Sequence, residues 1–188
     1  RPLSTNEINY LATDLNRHLT QNVIFETSFK QMSNTHMMDE TNNSYHAIMN
    51  NSSTYGVGHT TNSTALYFDG SQTATLPYNS KCNSFNQMMF NCVFKHNNTS
   101  IAHIIKKDGV FKLFIDVNGK IKLDIYDNSD SYNTYTSSTN LVEANVFLNL
   151  VIDIDSYAST IKFYKDHQLM DTFEGVTVNM STNNTSDI

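Results

Sequence analysis

The sequence is poor in the features that mark membrane proteins and nucleic-acid-binding proteins. It has no run of eighteen apolar residues, so no segment is predicted to insert into or cross a membrane. Only 16% of its residues are charged, the net charge is −6, and the lysines are scattered rather than clustered. Phosphate binding needs clustered Lys and Arg, so the sequence argues against a nucleic-acid partner.

Cysteine is also scarce, because Cys82 and Cys92 are the two in the chain. If residues 85–95 form one strand, Cys92 lies in it and Cys82 lies just before it. Ten extended residues would then separate the two thiols by about 33 Å, which is far beyond disulfide reach. A disulfide between them therefore needs residues 81–84 to fold back. The sequence decides neither whether the two cysteines are bridged nor whether the protein resides in an oxidising compartment. A chain of 188 residues can bury about 70% of its unfolded surface, so the core needs neither a disulfide nor a metal.

Motifs for catalysis are missing as well. The chain has no Gly-x-Ser-x-Gly motif, and its seven histidines show no His-Glu-x-x-His spacing. A glycosidase needs two carboxyl groups about 5–10 Å apart across a cleft. The nearest pair is Asp153 and Asp155 on one face of a strand end, which we interpret as solvated carboxylates. The sequence predicts that the protein is not an enzyme.

Asparagine, serine and threonine are abundant where charge is sparse. They form nine Asn-X-Ser/Thr sequons, which would be glycan acceptors in a eukaryotic secretory setting or chance products of this composition. The chain begins at Arg1 without a signal-peptide pattern, and we expect it to be a trimmed or processed fragment. The composition fits the tip of a viral or phage fibre or spike.

The first 21 residues differ from the rest and are predicted to form a short N-terminal α-helix and linker. Ser4 and Glu7 have the spacing of a capping box. The apolar residues that follow recur at helical spacing; they are Ile8, Leu11, Leu15 and Leu19. This helix over 5–20 either packs against its own domain or joins it to a stalk or to other copies of the chain.

From residue 22 onward the hydrophobic period is two, which is typical of strands. The first hairpin pairs Ile115 with Ile121, because that register turns the alternating apolar residues of both strands to one side. It leaves a three-residue loop, 117–119, with Gly119 at the position that requires a left-handed backbone. Further strands are predicted at 23–29, 46–49, 64–69, 85–95, 101–106 and 146–154, and long loops at 31–62 and 127–140.

A second hairpin is predicted near the end of the chain. If residues 165–167 form its loop, Ile161, Phe163 and Leu169 share the core face and His167 takes the left-handed position. Nearly every regular segment is then a strand joined to the next by a hairpin. This pattern predicts an all-β fold, an antiparallel two-sheet sandwich.

Several segments in order resemble one family. "TALYFDGSQTATLP" (64–77), "SFNQMMFNCVFK" (84–95) and "IKFYKDHQLMDTF" (161–173) are similar to laminin-G-like domains of the concanavalin A-like lectin/glucanase superfamily. The chain departs from the family at Cys92-Val93 and Phe147, where Trp is usual, and at His167, where Gly is usual. The resemblance implies a jelly roll over residues 22–188 that binds glycans or proteins, and some such domains carry structural calcium.

A structural Ca²⁺ is the one cofactor that the sequence suggests, and none is required. Calcium needs several oxygen ligands on a loop. Asp39 and Asn43 supply such oxygens, with Glu40 beside them, and Asp69 joins them if the two loops meet. The alternative is a polar loop capped by its own side chains.

Candidate ligand-binding residues lie on the faces of the strands that point away from the core, and the loops 42–62 and 127–140 are a second candidate surface. Tyrosine offers a sugar an apolar ring to stack on, and Asp and Lys offer hydrogen-bond partners. The alternative is ordinary cross-strand pairing on a solvated sheet. The candidates are Lys112, Asp124, Tyr126, Lys162 and Tyr164 on strands, with Tyr132 and Tyr135 in the loop.

The sequence therefore predicts a surface recognition module, extracellular or on a virion, that binds a glycan or glycoprotein receptor. One alternative is a structural capsid or fibre decoration domain, or a protein–protein interaction domain. The other is a polysaccharide-cleaving enzyme.

Overall fold

The computed structural model describes residues 24–27, 32–33, 35–41, 43–51, 54–60, 63–78, 86–96, 100–126, 131–178 and 188. The predicted helix over 5–20 and Cys82 lie outside these residues. Every regular element in the described part is a β-strand, and all strand pairs there are antiparallel, so the all-β, antiparallel prediction is confirmed. No helix of a length and hydropathy suited to crossing a membrane occurs among the described residues.

The strands are short in the first part of the chain and longer in the second. In chain order they are β1 (Met32–Ser33), β2 (His36–Met37), β3 (Ala47–Met49), β4 (Thr54–Val57), β5 (Thr64–Tyr67), β6 (Ala74–Thr75), β7 (Gln87–Lys95), β8 (Ala102–Lys107), β9 (Phe111–Ile115), β10 (Ile121–Tyr126), β11 (Tyr132–Thr136), β12 (Phe147–Asp155), β13 (Thr160–Lys165) and β14 (Gln168–Glu174).

The described residues fall into two compact units, one within Arg1–Gly58 and Thr64–Pro77 and one within His59–Ser63 and Tyr78–Ile188. The first unit contains a sheet in the order β1-β2-β3-β6 and the hairpin β4-β5. Its small core is formed by Met37, Ala47 and Met49. The predicted strand at 46–49 is confirmed as β3. The predicted loop at 31–62 was wrong, because it contains further strands too short to show a period of two.

The second unit contains two four-stranded sheets, in the orders β11-β10-β9-β8 and β14-β13-β12-β7. The alternating apolar residues of both sheets face one shared core, which makes the unit a two-sheet sandwich. Each fully buried side chain of this type stabilises the fold by about 1.5–3 kcal/mol. The core side chains with no exposed surface include Leu113, Ile121, Leu123, Leu150, Ile152, Ile154, Ile161 and Phe163.

The hairpin β9-β10 has the register that the sequence predicts. Ile115 pairs with Ile121, and Gly119 has φ of +76°. Asp116 closes the turn, because its carboxylate accepts the N–H groups of Asn118 and Lys120 at 2.8 and 3.1 Å. Turn chemistry and core burial select the same pairing, which is why sequence reasoning succeeded there.

The hairpin β13-β14 differs from the prediction. Its loop has two residues, Asp166 and His167, and Lys165 pairs with Gln168. Leu169 therefore pairs with Tyr164 on the outward face and is 54% exposed, so its predicted place in the core was wrong. A bulge follows at once and restores the core register for the rest of β14.

The segment predicted as a loop at 127–140 contains the edge strand β11, which pairs with β10 along its whole length. Its sequence, Tyr-Asn-Thr-Tyr-Thr, is polar, yet Tyr and Thr favour strands. At the opposite edge strand, β14, the Asp171 carboxylate accepts the N–H of Ser138 at 3.2 Å. Ser138 follows β11, so this hydrogen bond joins the two sheets.

At the amino-terminal end of the chain, residues 24–27 are not in a strand, so that part of the predicted strand at 23–29 was wrong. The predicted strand at 85–95 is confirmed as β7. Its inward residues are partly buried against the core; they are Met88, Phe90, Cys92 and Phe94. Cys92 is a free thiol, and burial raises its pKa to about 12.

Candidate functional site

The candidate ligand-binding residues lie on two opposite faces of the second unit. Lys112, Asp124 and Tyr126 are on the outward face of the sheet β11-β10-β9-β8. Lys162 and Tyr164 are on the outward face of the sheet β14-β13-β12-β7. Because the two sheets share one core, these faces point in opposite directions. One small ligand cannot contact both sets.

The first of these faces, called here the tyrosine face, consists of Lys112, Asp124, Tyr126 and Tyr132. Lys112 Nζ lies 5.2 Å from the centroid of the Tyr126 ring, and the Tyr126 and Tyr132 rings are 5.3 Å apart. The hydrogen bond with Tyr126 raises the pKa of Lys112, against a smaller opposing effect of burial. Thr134 Oγ1 donates to Asp124 Oδ1 at 2.6 Å. Most polar and aromatic groups of this face are therefore engaged with one another.

Tyr135 does not belong to the tyrosine face. It pairs with Leu123, whose side chain is in the core, and its ring packs edge-on against Phe173 at 5.4 Å between centroids. Burial raises the pKa of the Tyr135 hydroxyl. Tyr135 was predicted to lie in a loop. The segment is instead a strand, in which residues an odd number of positions apart, such as Tyr132 and Tyr135, point to opposite faces of the sheet.

The second face contains an open, shallow cavity of about 230 Å³, called here the Tyr164 depression. Its lining residues come from β7, β12, β13 and the turn after β13; they are Met89, Val151, Asp153, Tyr164 and His167. Val151 pairs directly with Tyr164, and Asp153 pairs with Met89 on its other side. An apolar floor, an aromatic ring and polar groups thus lie in one small concave region.

Three polar side chains line the depression. Within the described residues, the side chains of Asp153, Tyr164 and His167 make no hydrogen bond or ion pair. Lys162 is the cross-strand neighbour of Asp153, yet no ion pair within 4.0 Å joins them in the described part of the chain. These groups are available to a ligand, in contrast to those of the tyrosine face.

The turn between β13 and β14 fixes the position of His167. Asp166 and His167 both have left-handed backbones, with φ of 49° and 69°. The Asp166 N–H donates to the Asn149 carbonyl at 2.9 Å, and the Asn149 N–H donates to Asp166 Oδ1 at 3.0 Å. This pair of hydrogen bonds attaches the turn to β12, next to the depression.

Asp155, the other carboxylate at this strand end, has a structural role. Its Oδ1 accepts the N–H groups of Tyr157 and Ala158 at 2.9 and 3.0 Å, and its Oδ2 accepts from Gln87 at 2.9 Å. The hydrogen bond from Ala158, followed by that from Gln87, lowers the pKa of Asp155. Asp155 therefore stays ionised and caps the turn after β12.

The residues predicted to bind calcium lie in the first unit, and Asp39 among them is nearly buried. Its two carboxylate oxygens accept hydrogen bonds from Glu26 N, Thr41 N, Thr41 Oγ1 and Tyr45 N at 2.7–3.1 Å. Burial alone would raise the pKa of Asp39, but hydrogen bonds from Thr41, Glu26 and Tyr45 together lower it.

The other two predicted calcium ligands make local contacts as well. Asn43 Nδ2 donates to the Ile24 carbonyl at 3.2 Å, and the exposed Asp69 accepts the N–H of Ser71 at 2.8 Å. These bonds account for the loop conformations. Among the described residues, no three His, Cys, Asp or Glu side chains cluster as a metal site.

Sequence reasoning identified Tyr164 as outward-facing but missed Met89 and Val151, and it interpreted Asp153 and His167 as solvated strand-end and turn residues. The depression depends on the order β13-β12-β7, in which β7 lies beside β12 although some fifty residues separate them. No local pattern reveals that neighbour. The signal that was available is His167 at a turn position where Gly is usual.

Comparisons with known proteins show the fold and not the family. No protein-family profile and no curated protein matches the chain. Among solved structures, the binding domain of Paraclostridial Mosquitocidal Protein 1 is similar, with a TM-score of 0.68 and 11% identity. That match covers 90% of this chain and 44% of the other, so the chain spans less than half the length of that structure.

Two further similar structures have TM-scores too low to carry an argument. A Ruminococcus gnavus IT-sialidase CBM40 bound to α2,3-sialyllactose has a TM-score of 0.44 at 14% identity, covering 57% of this chain and 63% of that one. An endo-β-1,4-glucuronan lyase from Trichoderma reesei has 0.47 at 13%, covering 75% of each chain. The β-sandwich is thus a known fold, and membership of the laminin-G-like group stays a prediction.

Proposed function

We propose that this chain is a non-enzymatic recognition module that binds a glycan, free or on a glycoprotein, at the Tyr164 depression. The observation that carries the proposal is the convergence there of an aromatic ring, apolar side chains and a carboxylate that has no partner among the described residues. A sugar ring needs a surface to stack on and hydrogen-bond partners for its hydroxyl groups. The depression supplies both.

The depression is favoured over the tyrosine face because the side chains of Asp153, Tyr164 and His167 make no hydrogen bond or ion pair within the described residues. On the tyrosine face, a ligand that stacks on Tyr126 has to displace Lys112 from the ring, and a ligand that bonds to Asp124 has to compete with Thr134. In the depression, a ligand has no such contact to displace among the described residues. The net free energy of binding is larger where no internal contact is lost.

A binding role is favoured over glycoside hydrolysis by the state of the carboxylates. Hydrolysis needs a second carboxyl group that can act as an acid, with a raised pKa. Asp155 is the nearest along the strand to Asp153, and its hydrogen bonds lower its pKa instead. The lining of the depression holds Asp153 as its one carboxylate.

Several finer predictions accompany this proposal. One solved structure that shares its fold, with a TM-score of 0.68, is itself a binding domain, which supports recognition. A jelly roll of the laminin-G-like type, an extracellular or virion-surface location, a structural Ca²⁺ and oligomerisation through residues 5–20 are the predictions that accompany it.

A glycan array probed with the 188-residue chain and two variants tests the proposal. Tyr164→Ala removes the ring from the depression, and Tyr126→Ala removes a ring from the opposite face. We expect specific signals from the unmodified protein, a loss of about tenfold or more with Tyr164→Ala, which corresponds to about 1.4 kcal/mol of binding free energy, and unchanged binding with Tyr126→Ala.

Three other outcomes would redirect the assignment. Loss of binding with Tyr126→Ala alone would place the site on the tyrosine face. A blank array with well-folded protein would favour a protein–protein or architectural role. Depolymerisation of a polysaccharide that Asp153→Ala abolishes would make the chain an enzyme.

A further inference from the structure

The turn that carries His167 has a backbone that favours glycine over histidine at its second position. Both of its positions have positive φ, and neither is glycine. Two-residue hairpin turns of this kind favour Asn-Gly or Asp-Gly, because a Cβ atom destabilises the left-handed conformation. Glycine at 167 would satisfy the backbone better, so the fold does not explain the imidazole.

The surrounding structure holds the turn in this conformation. The hydrogen bonds between Asp166 and Asn149 attach it to the neighbouring strand at 2.9 and 3.0 Å. Left-handed residues other than glycine persist where the structure around them enforces them, and they occur often at ligand sites. The imidazole itself lines the Tyr164 depression, together with the Asp153 carboxylate.

The Asp153 carboxylate and the His167 imidazole have complementary hydrogen-bonding capacity. A carboxylate accepts hydrogen bonds only, whereas a neutral imidazole has one donor and one acceptor nitrogen. Hydroxyl groups of a sugar can donate to Asp153 and either donate to or accept from His167. Met89, Val151 and the Tyr164 ring provide the apolar contact for the ring face.

The charge of the depression selects against acidic ligands. Among its described lining residues, Asp153 is the one carboxylate, and it carries the formal negative charge of the depression. A ligand carboxylate placed beside Asp153 would bring two like charges together in a site that binding partly shields from water, which is unfavourable. Lys162, on the neighbouring strand, is not part of the lining and forms no ion pair with Asp153 within the described residues.

We infer that the Tyr164 depression is specific for an uncharged sugar, and that His167 is a specificity-determining contact. This inference rests on the proposed function, because it names the class of glycan and one of the residues that read it. It also predicts that replacing His167 by glycine stabilises the fold, because glycine adopts the left-handed backbone without strain.

The test compares lactose with α2,3-sialyllactose, and extends to matched neutral and uronic-acid-bearing pairs from an array, on the 188-residue chain. Each pair is titrated against the unmodified protein, His167→Gly, Asp153→Asn and the control Asp166→Asn. The control keeps a side-chain oxygen for the Asn149 N–H, suits a left-handed backbone and leaves the imidazole in place. Thermal unfolding is recorded for every variant.

We expect the neutral member of a pair to bind at least about tenfold more tightly than its acidic partner. His167→Gly should weaken binding about tenfold while raising the Tm by about 2–4 °C, because the left-handed strain is relieved. Asp166→Asn should bind like the unmodified protein. Asp153→Asn should reduce the discrimination against acidic glycans, because it removes the like charge.

Two results would overturn the inference and leave the proposed function standing. In one, acidic glycans bind more tightly than neutral ones and Tyr164→Ala still abolishes that binding. In the other, His167→Gly binds glycans as tightly as the unmodified chain does. Absence of any glycan binding by the unmodified, folded protein would overturn the proposed function and this inference together.

Discussion

Gly119 lies so close to Val142 that a Cβ atom built on its backbone would come within 2.7 Å of the Val142 carbonyl oxygen. The Val142 N–H donates to the Gly119 carbonyl at 3.0 Å, which holds the two segments together. The position therefore excludes a side chain for two reasons, its φ of +76° and this contact.

We expect Gly119→Ala to lower the free energy of unfolding by about 2–4 kcal/mol, combining left-handed strain with a clash against backbone. Gly175→Ala is the matched control, since Gly175 has φ of +70° and no atom within 4 Å of a built Cβ. It should lose about 1 kcal/mol. Urea titration of both variants measures the difference, and equal losses would show that the Val142 contact gives way at no cost.

Asp39 makes the first unit sensitive to acid. Its hydrogen bonds lower its pKa in the folded state below the usual value of about 3.9. A carboxylate with a depressed folded pKa contributes stability that is fully present above the unfolded pKa and is lost as the pH falls through the folded pKa. The stabilisation by Asp39 should therefore begin to decline below about pH 4 and be lost as the pH falls through the folded pKa.

The measurement is the urea midpoint of the unmodified chain and of Asp39→Asn between pH 2.5 and 7. We expect the variant to be less stable at pH 7, by about 1.5–3 kcal/mol, and the gap between the two proteins to narrow at pH 3. A gap that stays constant with pH would show that charge on Asp39 contributes nothing.

The calcium prediction at Asp39, Asn43 and Asp69 is tested by thermal unfolding in EGTA and in 1 mM CaCl₂. A site with a dissociation constant one hundredth of the calcium concentration stabilises the protein by about 2.7 kcal/mol. If calcium binds here, its stabilisation should vanish in Asp69→Ala, which leaves the Asp39 hydrogen bonds intact. A Tm that calcium does not change would contradict the prediction and show that local hydrogen bonds alone hold the loop.

Cys92 should be nearly inert towards thiol reagents in the native protein. Burial raises its pKa to about 12, so the reactive thiolate is scarce at pH 8. We expect Cys82→Ser, which leaves Cys92 as the single thiol, to react with iodoacetamide slowly in buffer and rapidly in 6 M guanidinium chloride. Rapid native labelling would mean that β7 opens readily.

Local patterns in the sequence were enough to predict the parts of the fold in which one signal supports another. The register of Ile115 with Ile121 followed from core burial and from Gly119 together. In β14 the apolar Leu169 suggested the core, but the tight turn and the bulge put it outside. A bulge shifts the register by one residue and leaves no mark in the apolar pattern.

The candidate site was harder to predict because its residues meet only through strand order. Tyr164 was placed correctly on an outward face from its own strand. Its neighbours Met89 and Val151 belong to other strands, and alternation says which face a residue takes but not which strand lies beside it. The same limit put Tyr126 and Tyr164 in one candidate set although they lie on opposite sides of the sandwich.

The bulge in β14 and the Asp171 carboxylate beside it have a consequence for how copies of the protein meet. A regular edge strand is a template on which another chain can add hydrogen-bonded strands. In β14 the pairing register shifts after the first two residue pairs. The Asp171 carboxylate accepts the N–H of Ser138, which follows β11 of the other sheet. The β14 edge is therefore a poor template for strand addition by a second copy, which disfavours fibre growth along it.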